Sequence, residues 1–298
     1  MDVARARLLS IHSSKYYTQM EPAELFDLYK ELRLYLDVQN DSSLDEMHFL
    51  SLMEMLFYVA VYLNKDIEAE VIYKTITDEF GENSPVIYVL KSILLQIKEN
   101  DQKAIEYIND LIEERLKHDT DPLSYLLVSK RKLSMLLKNN STEVVLDNCL
   151  KLIEEFPNDP ELWWFVGETY LSAGKFDESI FAFEEVVLIQ PFNYMAFYKI
   201  SEVIFFKYKS LTMNSNKKGN AKDKNEILNK SLQNALRSIE LNEFFLRGWS
   251  IVALVSHQLG TKVEILNLAH KKLNEIAELK NSSEKDKTTA KVIIEKTK

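Results

Sequence analysis

The sequence predicts an all-α protein, a superhelical solenoid of about five helix pairs preceded by N-terminal helices. Three observations carry this. The 298 residues include only 6 Gly and 6 Pro, roughly a third of the usual share of about 12%, which is too few turn formers for a sandwich, a barrel or a glycine-looped nucleotide fold. Apolar residues, 46% of the chain, recur at helical spacing. Small residues also return at fixed positions of a unit about 34 residues long.

Taken in order, residues 21–38 read as an amphipathic helix, a capping element or a degenerate repeat. A first helix pair follows at about 50–83, with Tyr58 and Tyr62, then Ala69, Tyr73 and Ile76. The next spans 85–118, with Tyr88, Ser92 and Leu95 followed by Ala104, Ile108 and Leu111. Residues 126–159 make a further pair whose second helix runs over about 142–156. The clearest unit is 160–193, written PELWWFVGETYLSAGKFDESIFAFEEVVLIQP over 160–191. Trp163, Val166, Gly167 and Tyr170 fit W-x2-L-G-x2-Y, Ser179 and Phe183 fit A-x3-F, and Pro191 closes the unit. This is the tetratricopeptide signature. Two antiparallel helices approach closely only where side chains are small, so Gly167 and Ser179 mark the crossing and Trp163, Tyr170 and Phe183 fill the gaps around it.

Two more units keep the register. Phe197, Ile200, Ser201 and Ile204 belong to 194–245, and Trp249, Val252, Ala253 and Gly260 to 246–279, once 18 residues, 207–224, are treated as an insertion between two helices. A repeat stack tolerates such an insertion at its edge. It carries Lys207, Lys209, Lys217, Lys218, Lys222 and Lys224 against Asp223 alone. It reads as a solvated, disordered loop, with contact to anionic lipid head groups as the functional alternative. Residues 280–298 form a polar tail, mobile or folded into a short last helix, so that 1–279 constitute one repeat domain. Pro22, Pro85, Pro122 and Pro160 stand where helices start, and Pro157 and Pro191 where they end.

Charge and chemistry exclude other classes. A formal charge of −9 has the wrong sign for broad phosphate-backbone binding, so nucleic acid is not an expected partner. The single Cys149 permits no internal disulfide and fits a reducing compartment; it falls at a buried second-helix position. Residues 1–14 lack an apolar stretch followed by a small-residue cleavage site, and the most apolar run, 49–63, is too short to span a bilayer. Sequons at Asn40, Asn140, Asn229 and Asn281 are therefore expected to stay unmodified. His12, His48, His118, His257 and His270 show no metal-ligand spacing, and no nucleophile stands near a base in sequence. The expectation is a protein that is not an enzyme and carries no cofactor or metal.

In repeats of this kind the partner-facing groove is lined by set positions of the first helices. These give Glu54, Tyr58 and Tyr62, then Val89 and Ile93, then Trp164 and Glu168. Farther on they give Tyr198, Glu202 and Phe205, and finally Arg247, Leu254 and His257. Repeats that hold a chaperone's C-terminal carboxylate need Lys, Asn and Arg there. With Trp164 and Glu168, then Tyr198 and Glu202, the expected guest is an apolar or amphipathic segment with some basic residues, and an acidic peptide is disfavoured. Trp163 is expected to hold the fold and Trp164 to face the guest, although each such side chain has packing on a neighbouring repeat as its alternative.

Four segments resemble a known family. MEMLFYVAVYLNKDIEAEVIY (53–73), PELWWFVGETY (160–170), IQPFNYMAFYKISE (189–202) and ALRSIELNEFFLRGW (235–249) are similar to subunit 2 of the ER membrane protein complex in its fungal form. The resemblance covers roughly residues 7–279. It implies a peripheral scaffold subunit on the cytoplasmic face of the endoplasmic reticulum, in a complex that inserts tail-anchored and multipass proteins into the bilayer. It further implies that the groove grips cytosolic segments of subunits 3 and 5, with subunit 1 and a small subunit 8 or 9 as additional neighbours. The alternative is a repeat adaptor or auxiliary subunit of another soluble complex, recruiting a chaperone or supporting an acetyltransferase.

Overall fold

The computed structural model describes residues 3–38, 45–118, 121–213, 221–279 and 282–298. Among them no strand occurs, and the elements are α-helices with two short 3-10 turns. The chain divides into two compact units, Met1–Asn139 and Asn140–Lys298. The boundary falls inside the segment expected as one repeat over 126–159.

The first unit contains α1 (Val3–Ser13), a 3-10 turn (Tyr16–Gln19), α2 (Pro22–Val38), α3 (Glu46–Tyr62), α4 (Asp66–Phe80), α5 (Pro85–Lys98), α6 (Asp101–Glu114) and α7 (Pro122–Asn139). Helix α3 packs on α4, α4 on α5, and α5 on both α6 and α7, so α5 meets both its own partner and the next first helix. That is the connectivity of a solenoid. Helix α7 begins at Pro122, four residues before the expected repeat start at 126. Its proline is the first residue of a helix, as are Pro22, Pro85 and Pro160, because a proline's missing N–H is one the helix leaves unused there.

The second unit contains α8 (Thr142–Glu155), α9 (Pro160–Ser172), α10 (Phe176–Ile189), α11 (Tyr194–Met213), α12 (Ala221–Leu241), α13 (Leu246–Leu259), α14 (Val263–Ala277) and α15 (Glu284–Lys296). Side-chain caps open several helices: Asp159 accepts from Leu162 N–H at 2.9 Å and Asn193 from Ala196 N–H at 3.1 Å. A Ser283–Asp286 capping box starts α15.

The crossings are as close as the small residues demand. A Cβ on Gly167 would stand 2.8 Å from the Phe183 ring, and Ser179 Oγ donates to Gly167 O at 2.8 Å. The same bond recurs between α12 and α11, where Ser231 Oγ donates to Ser201 O at 2.9 Å. Its partners lie 30 residues apart where the first pair lies 12 apart, so the second hairpin carries the 18 additional residues inferred from the register. Tight turns repeat too. Asn64, Gly174 and Gly260 take φ of 55°, 70° and 68° just after α3, α9 and α13, the left-handed conformation that ends helices most cheaply in Gly or Asn. Trp163 donates its indole N–H to Pro157 O at 2.8 Å and Trp249 to Glu243 O at 2.7 Å. In each case an aromatic one turn into a first helix pins the preceding connection.

One expectation is corrected. The insertion 207–224 is not a loop at its ends: residues 207–213 continue α11 and 221–224 begin α12, while Lys217 and Lys218 lie outside the described residues. Lysine is a good helix former when its charge meets solvent, so Lys207 and Lys209 continue α11 and Lys224 belongs to α12. Of the two forms expected for the last residues, the structure has the short last helix: α15 packs on α13 and α14, Ala290 is buried, and His270 Nε2 lies 2.7 Å from Thr297 Oγ1. The sequons at Asn40 and Asn281 lie outside the described residues.

Candidate functional site

In the first unit, Glu54, Tyr58 and Tyr62 form one stripe of α3 at helical spacing. The chain's own N-terminal segment lies against it. Tyr17, only 4% exposed, has its ring 6.2 Å from Tyr58 in a stacked arrangement and 6.3 Å from Tyr62. His12 Nε2 stands 3.4 Å from Glu54 Oε2. Burial, and then the Glu54 charge, raise the phenol pKa values of Tyr17 and Tyr58. Only Tyr62 keeps half its surface in solvent. Residues before 21 carry no repeat pattern, so this cover has no signature in the sequence.

On α5, Val89 is a core side chain, whereas Ile93 is half-buried at the edge of the core. From α7 comes Arg131, which the groove positions did not include. Its Nε–H donates to Ser92 Oγ at 2.9 Å, one terminal nitrogen donates to Ser134 Oγ at 3.3 Å, and the other donates to Gln96 Oε1. Gln96 Nε2 in turn donates to Asp101 Oδ1, and Lys138 pairs with Asp101 Oδ2, both at 2.8 Å. Burial holds the Arg131 pKa below the usual guanidinium value.

In the second unit the two glutamates are not isolated carboxylates. Lys199, whose side chain is 17% exposed, lies 2.9 Å from Glu168 and 3.0 Å from Glu202. Burial opposes the Lys199 charge, but hydrogen bonds to both glutamates outweigh it and its pKa is raised. Tyr198 donates its hydroxyl to Glu202 and meets Phe245 edge-on at 5.4 Å. Tyr198 and Phe205 are 8% and 3% exposed and belong to the core, so they offer a guest little more than an edge. Leu254 is half-buried, and Arg247 and His257 are exposed. Lys199 had a sequence signal that went unread: a lysine three residues before Glu202, facing the equivalent Glu168 of the preceding repeat. The expected rejection of acidic guests loses much of its basis here, because two carboxylates share one ammonium.

The division of labour expected of Trp163 and Trp164 is corrected. Trp163 pins its turn, meets Phe181 edge-on at 6.0 Å, and borders a cavity of about 330 Å³ with Leu150, Val166 and Tyr170. Trp164 is half-buried as well, its ring 5.2 Å from the fully buried Phe183. It therefore contributes to the fold in addition to any contact it offers. Cys149 sits in the core with Sγ 3.9 Å from Leu162 O, and burial, aided by Asp159, pushes its thiol up to about 12.

Comparisons with known proteins agree with this architecture. A tetratricopeptide-repeat family model matches residues 160–193. The ER membrane protein complex subunit 2 of Saccharomyces cerevisiae is 40% identical over 299 residues, covering 99% of each chain. The TPR repeat protein oca3 of Schizosaccharomyces pombe is 25% identical over 206 residues, 69% of this chain and 66% of its own. Among solved structures, a crystal structure of MamA superposes with a TM-score of 0.50 at 13% identity over 68% of this chain and 98% of its own, a likeness of fold alone.

Proposed function

We propose a scaffolding role for this chain, which belongs to the family of ER membrane protein complex subunit 2. Membership makes it a component of a hetero-oligomeric complex associated with the endoplasmic reticulum. No helix among the described residues is long and apolar enough to cross a membrane, which fits a subunit attached through other subunits.

The finer reading is that the first-helix faces hold cytosolic segments of the membrane-embedded subunits, those of subunits 3 and 5 foremost, with subunits 1 and 8 or 9 alongside. The chain would stand on the cytoplasmic face and support insertion of tail-anchored and multipass proteins without chemistry of its own. The observation that carries this reading is the 40% identity extending over 99% of both chains. The half-buried Trp164, Ile93, Leu254 and Tyr62 supply apolar surface of the type that helical guests cover.

Detergent-solubilised affinity purification with quantitative mass spectrometry tests it. Multi-spanning ER subunits are expected in stoichiometric amounts. Recovery of soluble partners alone, such as a chaperone or an acetyltransferase, would refute the scaffold assignment in favour of the adaptor reading.

A further inference from the structure

We propose that Arg131 anchors a guest on the first unit by receiving the Asp or Glu side chain of a peptide segment, whose adjacent apolar residue lies against Ile93. This rests on the scaffolding reading and specifies the chemistry of the segment held there.

The argument starts from charge. Acids outnumber Lys and Arg 46 to 37 in this chain, yet Arg131 is held by three neutral oxygens, those of Ser92, Gln96 and Ser134. The nearby carboxylate, Asp101, acts on it only from a distance, its oxygens taken by Gln96 and Lys138. A guanidinium carries five N–H groups, so two remain unengaged among the described contacts. A cation drawn out of water without an anion is unfavourable. Here it is also fixed in place, since Ser92 is fully buried and itself donates to Val89 O at 2.7 Å. A preoriented fork with spare donors matches a carboxylate. Gln96, which accepts from Arg131, lies one turn from the half-buried Ile93 on α5, and Ile93 packs at the edge of the same core cluster as Tyr58. The anion site and an apolar side chain are therefore adjacent.

One Arg is not the Lys, Asn and Arg set of a terminal-carboxylate clamp, and an internal acidic side chain flanked by Leu, Phe or Tyr is the occupant it fits. The test is a selection of random 16-residue peptides displayed with both ends covered, on the immobilised full-length chain and on Arg131→Gln. Peptides enriched on the natural chain are expected to share an Asp or Glu at fixed spacing from an apolar residue, and Arg131→Gln is expected to lose that preference. For a lead peptide, Arg131→Gln or acid-to-amide replacement should each weaken binding about 10- to 100-fold, and the two together should cost little more than either alone. If Arg131→Gln melts below the natural chain, Arg131→Lys takes its place; it should keep the acidic preference with weaker binding. Identical peptide pools, additive losses, or no enriched peptide would each overturn the proposal. The selection needs no other subunit, so failure of the anchor and failure of the scaffold assignment are read separately.

Discussion

Replacing Gly167 by Ala is expected to destabilise the second unit, although alanine is the better helix former. The added methyl carbon would stand 2.8, 2.9 and 3.0 Å from three atoms of the Phe183 ring, where ordinary contact needs about 3.5–4.0 Å. The ring has nowhere to go: Phe183 is fully buried and Trp164 stands edge-on to it at 5.2 Å. Overfilling a packed core costs about 1–3 kcal/mol, against a gain of about 1 kcal/mol from removing a helical glycine. Since α9 and α10 must also separate at the bond from Ser179 Oγ to Gly167 O, at 2.8 Å, the upper part of the range applies, for a net loss of about 1–2 kcal/mol. Urea denaturation followed by tryptophan fluorescence reads this cleanly, because Trp163, Trp164 and Trp249 all lie in the second unit. Phe183→Leu, which removes the offending ring atoms, should be less harmful in the Gly167→Ala background than in the natural chain. An unchanged or raised midpoint for Gly167→Ala, or simple additivity with Phe183→Leu, would refute the close-crossing account.

Trp164→Ala should lower stability by about 2–3 kcal/mol, below the value for a fully buried aromatic; a melt within error of the natural chain would restore the view that this ring serves partners alone. Cys149, raised to about 12 mainly by burial, favours the fold at neutral pH and below. Because its folded pKa exceeds the unfolded one, that contribution is lost as pH climbs from about 8.5 toward 12. Its thiol should accordingly react with a disulfide reagent at pH 8 only as fast as the protein opens, whereas rapid labelling of the native chain would contradict the burial. Deleting residues 282–298 removes α15 and uncovers α13 and α14, with Ala290, Ile293 and Ile294 lost from the core. A drop of about 2–4 kcal/mol is expected, with concentration-dependent self-association in sedimentation; an unaffected monomer would show that α15 is dispensable.

What was legible in the sequence was the local part of the design. Gly167, Ser179 and Ser201 are small because two backbones meet there; Ser231, which answers Ser201, came to light only in the structure. Such requirements recur at fixed spacing whatever the partner. The cover of Tyr58 by Tyr17 was not legible, because it depends on where a short 3-10 turn comes to rest 41 residues away in sequence. Lys199 and Arg131 escaped for a different reason. A rule that assigns surface positions by their place in the repeat ignores long basic side chains that reach across to a neighbouring helix. Tyr198 and Phe205 show the converse, since positions nominally facing a guest were filled by contacts with the following repeat. The α15 helix was ambiguous because its polar composition conceals the short apolar seam of Ala290, Ile293 and Ile294.

The long hairpin has an evolutionary corollary. Helices α11 and α12 run 20 and 21 residues where α9 and α10 run 13 and 14, and beyond the bonds at Ser201 and Ser231 the pair stays interlocked through the buried Phe205, Tyr208 and Leu228. Growth beyond Tyr208 and Leu228 adds about 1.5 Å of reach per residue on each arm and leaves those buried layers as they were. Natural variation can therefore lengthen this antenna, or trim it back as far as Tyr208 and Leu228, tuning how far the subunit extends toward its surroundings while its thermodynamic foundations stay fixed.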